Sequence, residues 1–302
     1  MKISIVIPTR NRPKLLKKTL ENLSKNNFFF KEIIIVDSST INTSLNINDF
    51  PFLRNKIKIY NSKPSISKQR NIGLRKVNKK SEYVMFLDDD VIFKKNAFKN
   101  MHKFLINNKL YAGIGFNLIT NERFFFENIK KNKIFELFSI YNKNPGVVTN
   151  SGWHTKAINL KENTEVKWLP TQAVIYKKKF IKNYKFEELF GRYSYLEDLD
   201  FSYNIAKIGK LIINHDAKYS SNNVVERNFF IFGLKEVVNR FLFVKKNKLN
   251  KINFFFGIFF LIIRNIIFIF INNYKFIYRF IGNILAILLI PFGAKNIQKF
   301  LD

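Results

Sequence analysis

The sequence predicts an α/β protein with a mostly parallel sheet flanked by helices, followed by an apolar helical tail. Strand-like and helix-like patterns alternate through the first half of the 302 residues, as expected where helices connect parallel strands. The predicted strands are continuous apolar runs, typical of strands buried on both faces. From about residue 227 the chain becomes far more apolar. We therefore predict one domain over residues 1–226 and a second region over residues 227–302.

The elements follow from the spacing of apolar residues. Short apolar or β-branched runs predict strands over residues 3–7, 32–37, 57–60, 83–87, 112–116 and 173–176. Apolar residues at helical spacing predict helices over residues 13–26, 65–76, 96–107 and 193–209. Residues 118–170 have weak periodicity, which indicates a variable insertion or a substrate-facing segment.

Composition limits the chemistry and the partners. The chain has no cysteine, which excludes disulfides, zinc–thiolate sites and thiol nucleophiles. Its formal net charge of +30 attracts polyanions, whether nucleic acid, anionic lipid or phosphorylated small molecules. Because the basic residues are spread along the chain and its last third is apolar, we expect an anionic membrane surface and no nucleic acid. Neither the GxGxxG nor the GxxxxGK[ST] phosphate loop occurs.

The strongest local signal is an apolar run, YVMFL, that ends on Asp88, Asp89 and Asp90. Ligands of parallel sheets bind beyond the carboxyl ends of the strands, and three adjacent acids repel one another unless cations compensate them. Asp88 and Asp90 offer the hard oxygen ligands that suit Mg²⁺ or Mn²⁺, with a diphosphate completing the shell. The alternative is a solvated Asp-rich turn. Asp37, at the end of another strand, could accept hydrogen bonds from a ribose or a base edge.

A second acidic cluster begins the predicted helix 193–209. Ser194 and Glu197 have the spacing of a capping box, so Glu197 has a purely structural alternative. Asp198 is predicted to point inward and Asp200 to the other side. An inward carboxylate near a helix N-terminus suits a general base. The residues that share the inward stripe with Asp198 are Phe201, Ile205 and Ile208.

Six segments, in this order, resemble glycosyltransferase family 2. They are IVIPTRNR at 5–12, IVDSS at 35–39, KQRNIG at 68–73, FLDDD at 86–90, WLP at 168–170 and LEDLD at 196–200. The resemblance covers roughly residues 2–220. It implies a GT-A fold, Rossmann-like, and an inverting transfer of a sugar from a nucleotide diphosphate to a hydroxyl.

The resemblance also implies roles for single residues. Asp198 would be the catalytic base, Asp88 and Asp90 would hold the metal, and Trp168 and Glu197 would line the acceptor side. The residues implied to bind the nucleotide donor are Pro8, Thr9, Arg10, Asn11, Asp37, Arg70, Asn71, Asp88 and Asp89. Within the acidic triplet, Asp89 is expected to tolerate change best.

Three departures from the family pattern limit how far the family's properties apply to this chain. Thr171 and Gln172 stand where many relatives have Gly, so the acceptor pocket is expected to differ. No His follows the acidic helix at the usual place, and we do not expect the early His215 to reach the metal. The Q-x-x-R-W motif of processive synthases is missing, which favours the addition of single sugars.

The tail contains two apolar stretches, residues 252–271 and 276–292, each near the length needed to span a bilayer. Arg264 and Arg279 interrupt them, which disfavours a clean spanning pair. Helices lying in the interface of an anionic membrane fit better; a buried helical pack or a homodimer interface is the alternative. The flanking basic residues are Lys245, Lys246, Lys248, Lys251 and Lys275.

Together these patterns predict a metal-dependent glycosyltransferase of cell-surface polysaccharide synthesis. We expect it in the cytoplasm, peripheral on the inner face of the cell membrane, with a glycan or lipid-linked saccharide as acceptor. The alternatives are a glycoside hydrolase, which also uses two carboxylates, and a non-catalytic basic protein that binds membranes or nucleic acid.

Overall fold

The computed structural model describes residues 1–25, 30–40, 47–121, 133–191, 194–221, 228–271 and 273–293. The chain forms two compact units. The first unit contains residues 1–121, 157–188 and 198–223, and the second contains residues 122–156, 189–197 and 224–302. The predicted functional boundary at residue 227 stays a prediction.

The first unit is built on one mixed sheet. The strands in the described part of the chain are β1 (Ile3–Thr9), β2 (Glu32–Asp37), β3 (Ile57–Asn61), β4 (Tyr83–Leu87), β5 (Val91–Phe93), β6 (Gly113–Leu118), β7 (Thr164–Val166), β8 (Ala173–Lys177) and β9 (Leu211–Ser221). Their order in the sheet is β3-β2-β1-β4-β8-β6-β9-β5, with β7 paired to β9. The first four strands of this order are parallel, whereas β8 runs antiparallel to both of its neighbours.

Helices cover the sheet and form most of the second unit. Among the residues that the structure describes, the helices are α1 (Pro13–Ser24), α2 (Ile66–Lys76), α3 (Ala97–Asn107), α4 (Lys133–Leu137), α5 (Lys178–Ile181), α6 (Glu197–Ala206), α7 (Phe229–Lys246), α8 (Lys251–Ile271) and α9 (Phe276–Leu289). The predicted α/β class is confirmed. The sequence did not predict β5, β7, β9, α4, α5 or α7.

The core of the first unit lies on both faces of the sheet, as continuous apolar strands require. Successive residues of a strand point to opposite faces. Met85 and Leu87 of β4 therefore pack into one cluster, and Val84 and Phe86 into the other. The sheet is consequently covered on two sides, and ligands have access to its strand ends.

The prediction of a capping box at Ser194 and Glu197 is wrong. Leu196 has φ +75°, a left-handed conformation that cannot continue a helix, so α6 begins only at Glu197. The Ser194 hydroxyl donates instead to the Gly191 carbonyl, at 2.8 Å. The helix also ends early, at Ala206, which leaves Ile208 beyond it and exposed. Tyr193, where the predicted helix starts, lies outside the described residues.

Glu32, at the start of β2, is a buried carboxylate with three donors. It accepts hydrogen bonds from the Ser4 hydroxyl at 2.7 Å, the Asn78 backbone N–H at 2.7 Å and the Lys58 ammonium at 2.8 Å. Burial alone would raise the pKa of Glu32, but these partners hold it below its ordinary value. Glu32 thus stabilises the amino-terminal end of the sheet in its ionised form.

In the second unit, α7 and α9 approach so closely that only glycine fits at the crossing. A Cβ on Gly233 would lie 2.4 Å from the Arg279 carbonyl oxygen, and one on Gly282 would lie 2.4 Å from the Phe230 carbonyl oxygen. The approach lets Arg279 bind the buried Glu236 through Nε at 2.8 Å and through Nη2 at 2.5 Å. The interrupting Arg279 is therefore paired inside the helical pack.

Helix α8 is long and apolar enough to cross a membrane, by length and composition only, and the stretch Phe276–Phe292 is shorter. Both helices leave large apolar side chains exposed. Examples are Phe259 at 56%, Phe270 at 83%, Tyr278 at 52% and Leu288 at 63%. This much exposed apolar surface indicates an interaction site.

Candidate active site

The carboxyl ends of β1, β2 and β4 meet at one edge of the sheet because these strands are parallel. Thr9, the last residue of β1, pairs in register with Asp37, the last residue of β2. Of the residues predicted for the nucleotide loop, Pro8 and Thr9 are buried in the strand, whereas Arg10 and Asn11 are exposed. The structure therefore brings this predicted group to the expected edge of the sheet.

Hydrogen bonds join the loops that follow β1 and β2. The Asn11 backbone N–H donates to the Ser39 hydroxyl at 2.7 Å, and the Thr40 N–H donates to the Asn11 side-chain oxygen at 3.0 Å. Asn11 has φ +54°, a conformation that Asn tolerates better than most residues. The Ser39 N–H donates to Asp37 Oδ1 at 2.8 Å. Asp37 is half-buried, and its hydrogen bond to Ser39 fixes it at the start of the loop that follows β2.

Gln69 is a structural residue of the site to which the sequence assigned no role. Its side-chain amide donates to two backbone carbonyls, Thr9 O and Val36 O, both at 2.8 Å. These bonds tie α2 to the ends of β1 and β2 and thereby set the position of the next residue, Arg70. The only sequence signal was an amide side chain next to the predicted Arg70–Asn71 pair.

Arg70 interacts electrostatically with both predicted acidic sites. It is 1% exposed, and its Nη2 donates to Asp88 Oδ1 at 2.9 Å. Burial raises the pKa of Asp198, Arg70 opposes that rise, and Asp88 adds to it. The net direction is upward, so the proton affinity of Asp198 is increased, as a general base requires. Three residues far apart in sequence thus form one electrostatic group.

Asp89 is anchored rather than free to vary. Its Oδ2 accepts a 2.7 Å hydrogen bond from the Thr9 hydroxyl, and its Oδ1 lies 3.5 Å from Arg12 Nη1. The Thr19 hydroxyl donates to its backbone carbonyl at 2.8 Å. Burial raises the pKa of Asp89 to about 6. These bonds attach the acidic triplet to β1 and α1, contrary to the expectation that Asp89 tolerates change best.

Asp90 carries a carboxylate oxygen that fits a cation. Its Oδ1 accepts a 3.2 Å hydrogen bond from the Ser221 hydroxyl, whereas its Oδ2 is buried and accepts no hydrogen bond from the described residues. Arg12 Nη1 lies 3.7 Å from Oδ2. Burial, followed by the neighbouring Asp88, raises the pKa of Asp90 to about 6. A buried carboxylate with an open oxygen is expected where a cation binds.

The protein alone provides few ligands for that cation. Among the residues that the structure describes, no group of three or more His, Cys, Asp or Glu side chains could hold a metal ion. Asp88 and Asp90 are two carboxylates, and Mg²⁺ or Mn²⁺ takes several oxygens. A cation here therefore needs oxygen ligands from a bound diphosphate or from water.

Tyr219 and Gln172 are joined by hydrogen bonds to one another and to Asp88; the sequence pointed to Gln172 only as a departure from the family pattern and did not single out Tyr219. The Tyr219 hydroxyl donates to Gln172 Oε1 at 3.1 Å, and the Gln172 carbonyl accepts the Asp88 N–H at 3.0 Å. Burial, and then Asp88, Asp90 and Asp198, raise the pKa of Tyr219. The backbone of Gln172 thus holds Asp88 in place, and its side chain, where the sequence departs from the family pattern, holds Tyr219.

The remaining predicted residues lie elsewhere or have structural contacts. Asn71 exchanges two hydrogen bonds with the Phe186 backbone, at 2.8 and 2.9 Å, and donates to Glu188 at 3.0 Å, so its amide anchors the chain rather than facing a nucleotide. Trp168 and Glu197 are both buried. His215 Nδ1 lies 3.1 Å from the Asn163 side-chain oxygen, and its Nε2 lies 3.3 Å from Asp216.

Comparison with known proteins identifies relatives. The family model "Glycosyl transferase family 2" matches residues 4–184. A minor teichoic acid biosynthesis protein, GgaA of Bacillus subtilis, is 32% identical over 114 residues, which cover 35% of this chain and 25% of GgaA. A poly(ribitol-phosphate) β-N-acetylglucosaminyltransferase, TarS of Staphylococcus aureus, is 28% identical over 113 residues, which cover 35% of this chain and 19% of TarS. The chain thus spans a quarter or less of either relative.

Solved structures share the fold. A structure of S. aureus TarS residues 1–349 with UDP-GlcNAc matches with a TM-score of 0.51 and 17% identity, covering 83% of this chain and 68% of that one. GalNAc-T7 with UDP, GalNAc and Mn²⁺ matches with a TM-score of 0.55 and 14% identity, covering 74% of this chain and 44% of that one. At these identities the matches establish the fold, which is the one the sequence predicted.

Proposed function

Because the chain belongs to glycosyltransferase family 2, we propose that it transfers a sugar, with inversion, from a nucleotide diphosphate to a hydroxyl of a cell-surface glycan. One observation carries this proposal: Arg70 pairs with Asp88 at 2.9 Å and is also the cation that opposes the raised pKa of Asp198. The acid that would face the diphosphate and the acid that would face the acceptor therefore belong to one site.

Asp198 is the proposed base. It accepts the proton of the acceptor hydroxyl while the oxygen attacks the anomeric carbon. The bond between that carbon and the diphosphate oxygen breaks as the new bond forms, and the diphosphate leaves with the electron pair. Attack opposite the leaving group inverts the anomeric configuration. Arg70 keeps Asp198 ionisable despite its burial.

We propose Mn²⁺ or Mg²⁺ as the cofactor, held by Asp88 and the open oxygen of Asp90. When bound, the ion would neutralise charge on the diphosphate. Arg12, 3.7 Å from the same Asp90 oxygen, supplies positive charge from the protein itself. Asp37 and the loop residues Arg10 and Asn11 would bind the nucleoside.

For the donor we propose a uridine diphosphate sugar, and for the acceptor a glycan or lipid-linked saccharide of the teichoic acid type. The UDP-GlcNAc bound to TarS and the names of GgaA and TarS support these two assignments. The net charge of +30 also suits a phosphate-rich acceptor.

We also propose that α8 and α9 lie on the inner face of the cell membrane. The exposed apolar residues of both helices and the exposed ammonium groups of Lys245, Lys248, Lys251 and Lys275 support this placement. In flotation, the full chain should bind vesicles containing anionic lipid and release them as salt rises. If it instead forms dimers and ignores vesicles, the apolar surface is a homodimer interface.

The transferase proposal is tested with Asp198→Asn and a control, Asp200→Asn, which replaces a buried acid of the same helix. Transfer from UDP-GlcNAc to poly(ribitol phosphate), or to a membrane fraction, is measured with Mn²⁺. We expect Asp198→Asn to lower kcat by about 10²–10⁴-fold while UDP still raises the melting temperature of the variant. Equal kcat losses in both variants would remove Asp198 from the proposed role.

A further inference from the structure

A basic site lies at the opposite end of the sheet from the acidic residues. A cavity of about 480 Å³ opens beside the start of β4. Asp88 follows the other end of β4, five residues away, which corresponds to about 16 Å of strand. The residues lining the cavity are Lys79, Ser81, Glu82, Tyr83, Lys177, Lys178, Lys179 and Lys182, all in the first unit; we call this site the lysine pocket.

The sheet brings these lysines together from two segments. Tyr83, the first residue of β4, pairs with Lys177, the last residue of the antiparallel β8. The turn before β4 and the short helix after β8 therefore meet at this end. The lysine pocket holds five ammonium groups against the single carboxylate of Glu82.

One of the five lysines has a structural role. Lys178 donates to the Asn78 and Lys79 backbone carbonyls, at 2.9 and 3.0 Å. In the described residues, Lys79, Lys177 and Lys182 form no ion pair. Burial and the like charges of Lys179 and Lys109 lower the pKa of Lys177. The pocket thus keeps an excess of positive charge that an anion would relieve.

We propose that the lysine pocket binds successive phosphate groups of a phosphodiester-linked polymer and so holds a polymeric acceptor at a distance from the transfer site. Lysine ammonium groups are point charges with freely rotating donors, so several of them follow a flexible anionic chain better than they fix one rigid anion. The cavity has no exposed aromatic ring among its lining residues, since Tyr83 is buried. The pocket therefore has no exposed ring on which the bases of a single-stranded nucleic acid could stack.

This inference rests on the proposed transferase function only in naming the polymer as acceptor. Binding is measured separately from transfer, by titrating the full chain with fluorescent poly(ribitol phosphate) at several salt concentrations. The test variant is the triple substitution Lys79→Gln, Lys177→Gln and Lys182→Gln. Its control removes the same charge from another exposed face of the first unit, with Lys95→Gln, Lys99→Gln and Lys103→Gln.

We expect the pocket variant to raise Kd by about tenfold or more, and to reduce the slope of log K against log salt by about 2, since each lost phosphate contact removes about 0.7. The control should change Kd by less than about threefold. In transfer assays, the pocket variant should keep kcat on a short neutral glycan acceptor and lose activity only on the polymer.

Two outcomes would overturn the proposal, and a third would separate it from the proposed function. Equal losses in the two triple variants would mean attraction by net charge alone. The second outcome is that the pocket substitutions weaken the binding of duplex DNA or of anionic vesicles more than they weaken the binding of the polymer. That result would assign the site to those partners. If wild-type protein binds the polymer through these lysines but transfers no sugar from any uridine diphosphate donor, the pocket stands and the proposed function fails.

Discussion

Arg70 is the residue whose removal should disturb the candidate site most, and a second arginine provides a matched comparison. The Arg70 side chain is 2% exposed and pairs with Asp88 at 2.9 Å. The Arg12 side chain is 36% exposed and lies 3.5 Å from Asp89. Both substitutions to Gln remove one positive charge next to the same acidic triplet, but Arg70 is itself buried, whereas Arg12, which lies 3.5 and 3.7 Å from the buried Asp89 and Asp90, contacts solvent.

The expected magnitudes follow from burial. Removing one partner of a buried ion pair costs about 3–5 kcal/mol, an exposed pair contributes about 0–1 kcal/mol, and the pairs of Arg12, in which only the arginine is exposed, lie between these limits. Arg70→Gln also removes the charge that lowers the pKa of Asp198, while the neighbouring Asp88 still raises it, so the pKa of Asp198 should rise further. Arg70→Gln should therefore lower the free energy of unfolding of the first unit by about 3–5 kcal/mol, and Arg12→Gln should lower it by less.

The assay uses the two tryptophans of the chain. In a Trp153→Phe background, Trp168 is the only indole, and it lies in the first unit. Its fluorescence during urea unfolding then reports the stability of that unit. If Arg70→Gln and Arg12→Gln lose the same stability, the assignment of Arg70 as the buried link between the two acidic sites is wrong.

Three further predictions concern stability. The pKa of Glu32 in the folded protein lies below its ordinary value of 4.5, so the stabilisation from its carboxylate is present above that pH and is lost as the pH falls through the folded pKa. Glu32→Gln should therefore make the free energy of unfolding, measured with urea between pH 3 and 6, fall less steeply as the pH is lowered. Asp90 affects stability in the opposite direction, because its pKa of about 6 in the folded protein makes the ionised form costly. In EDTA, Asp90→Asn should therefore raise the free energy of unfolding by up to about 3 kcal/mol at pH 8 and leave it unchanged at pH 4. A loss of stability at both pH values would contradict this. Gly233→Ala meets a backbone oxygen at 2.4 Å and should destabilise the second unit by about 1–3 kcal/mol in thermal unfolding, whereas Gly257→Ala meets a side-chain ring that can move and should cost less.

Much of the fold and part of the site could be predicted because their signals are local. The run that ends at Leu87 is short and apolar, the run that ends at Asp37 has four apolar residues between Glu32 and Asp37, and the structure has both strands at the predicted bounds. The start of α6 was mispredicted because the left-handed backbone at Leu196 leaves no mark in a pattern of residue types. Strand β9 was missed because polar residues such as Asn214 interrupt it, and that asparagine is buried by the sheet around it.

The sequence by itself determined the fold class, the family and the acidic residues, since apolar periodicity and ordered motifs are properties of neighbouring residues. Only the tertiary structure decided which groups share an environment. It paired Arg70 with Asp88 beside Asp198, committed the Asn71 amide to the Phe186 backbone, and brought Lys79 and Lys177 to one cavity. Electrostatic coupling and burial depend on distances between segments far apart in the chain, and those distances exist only once the sheet has formed.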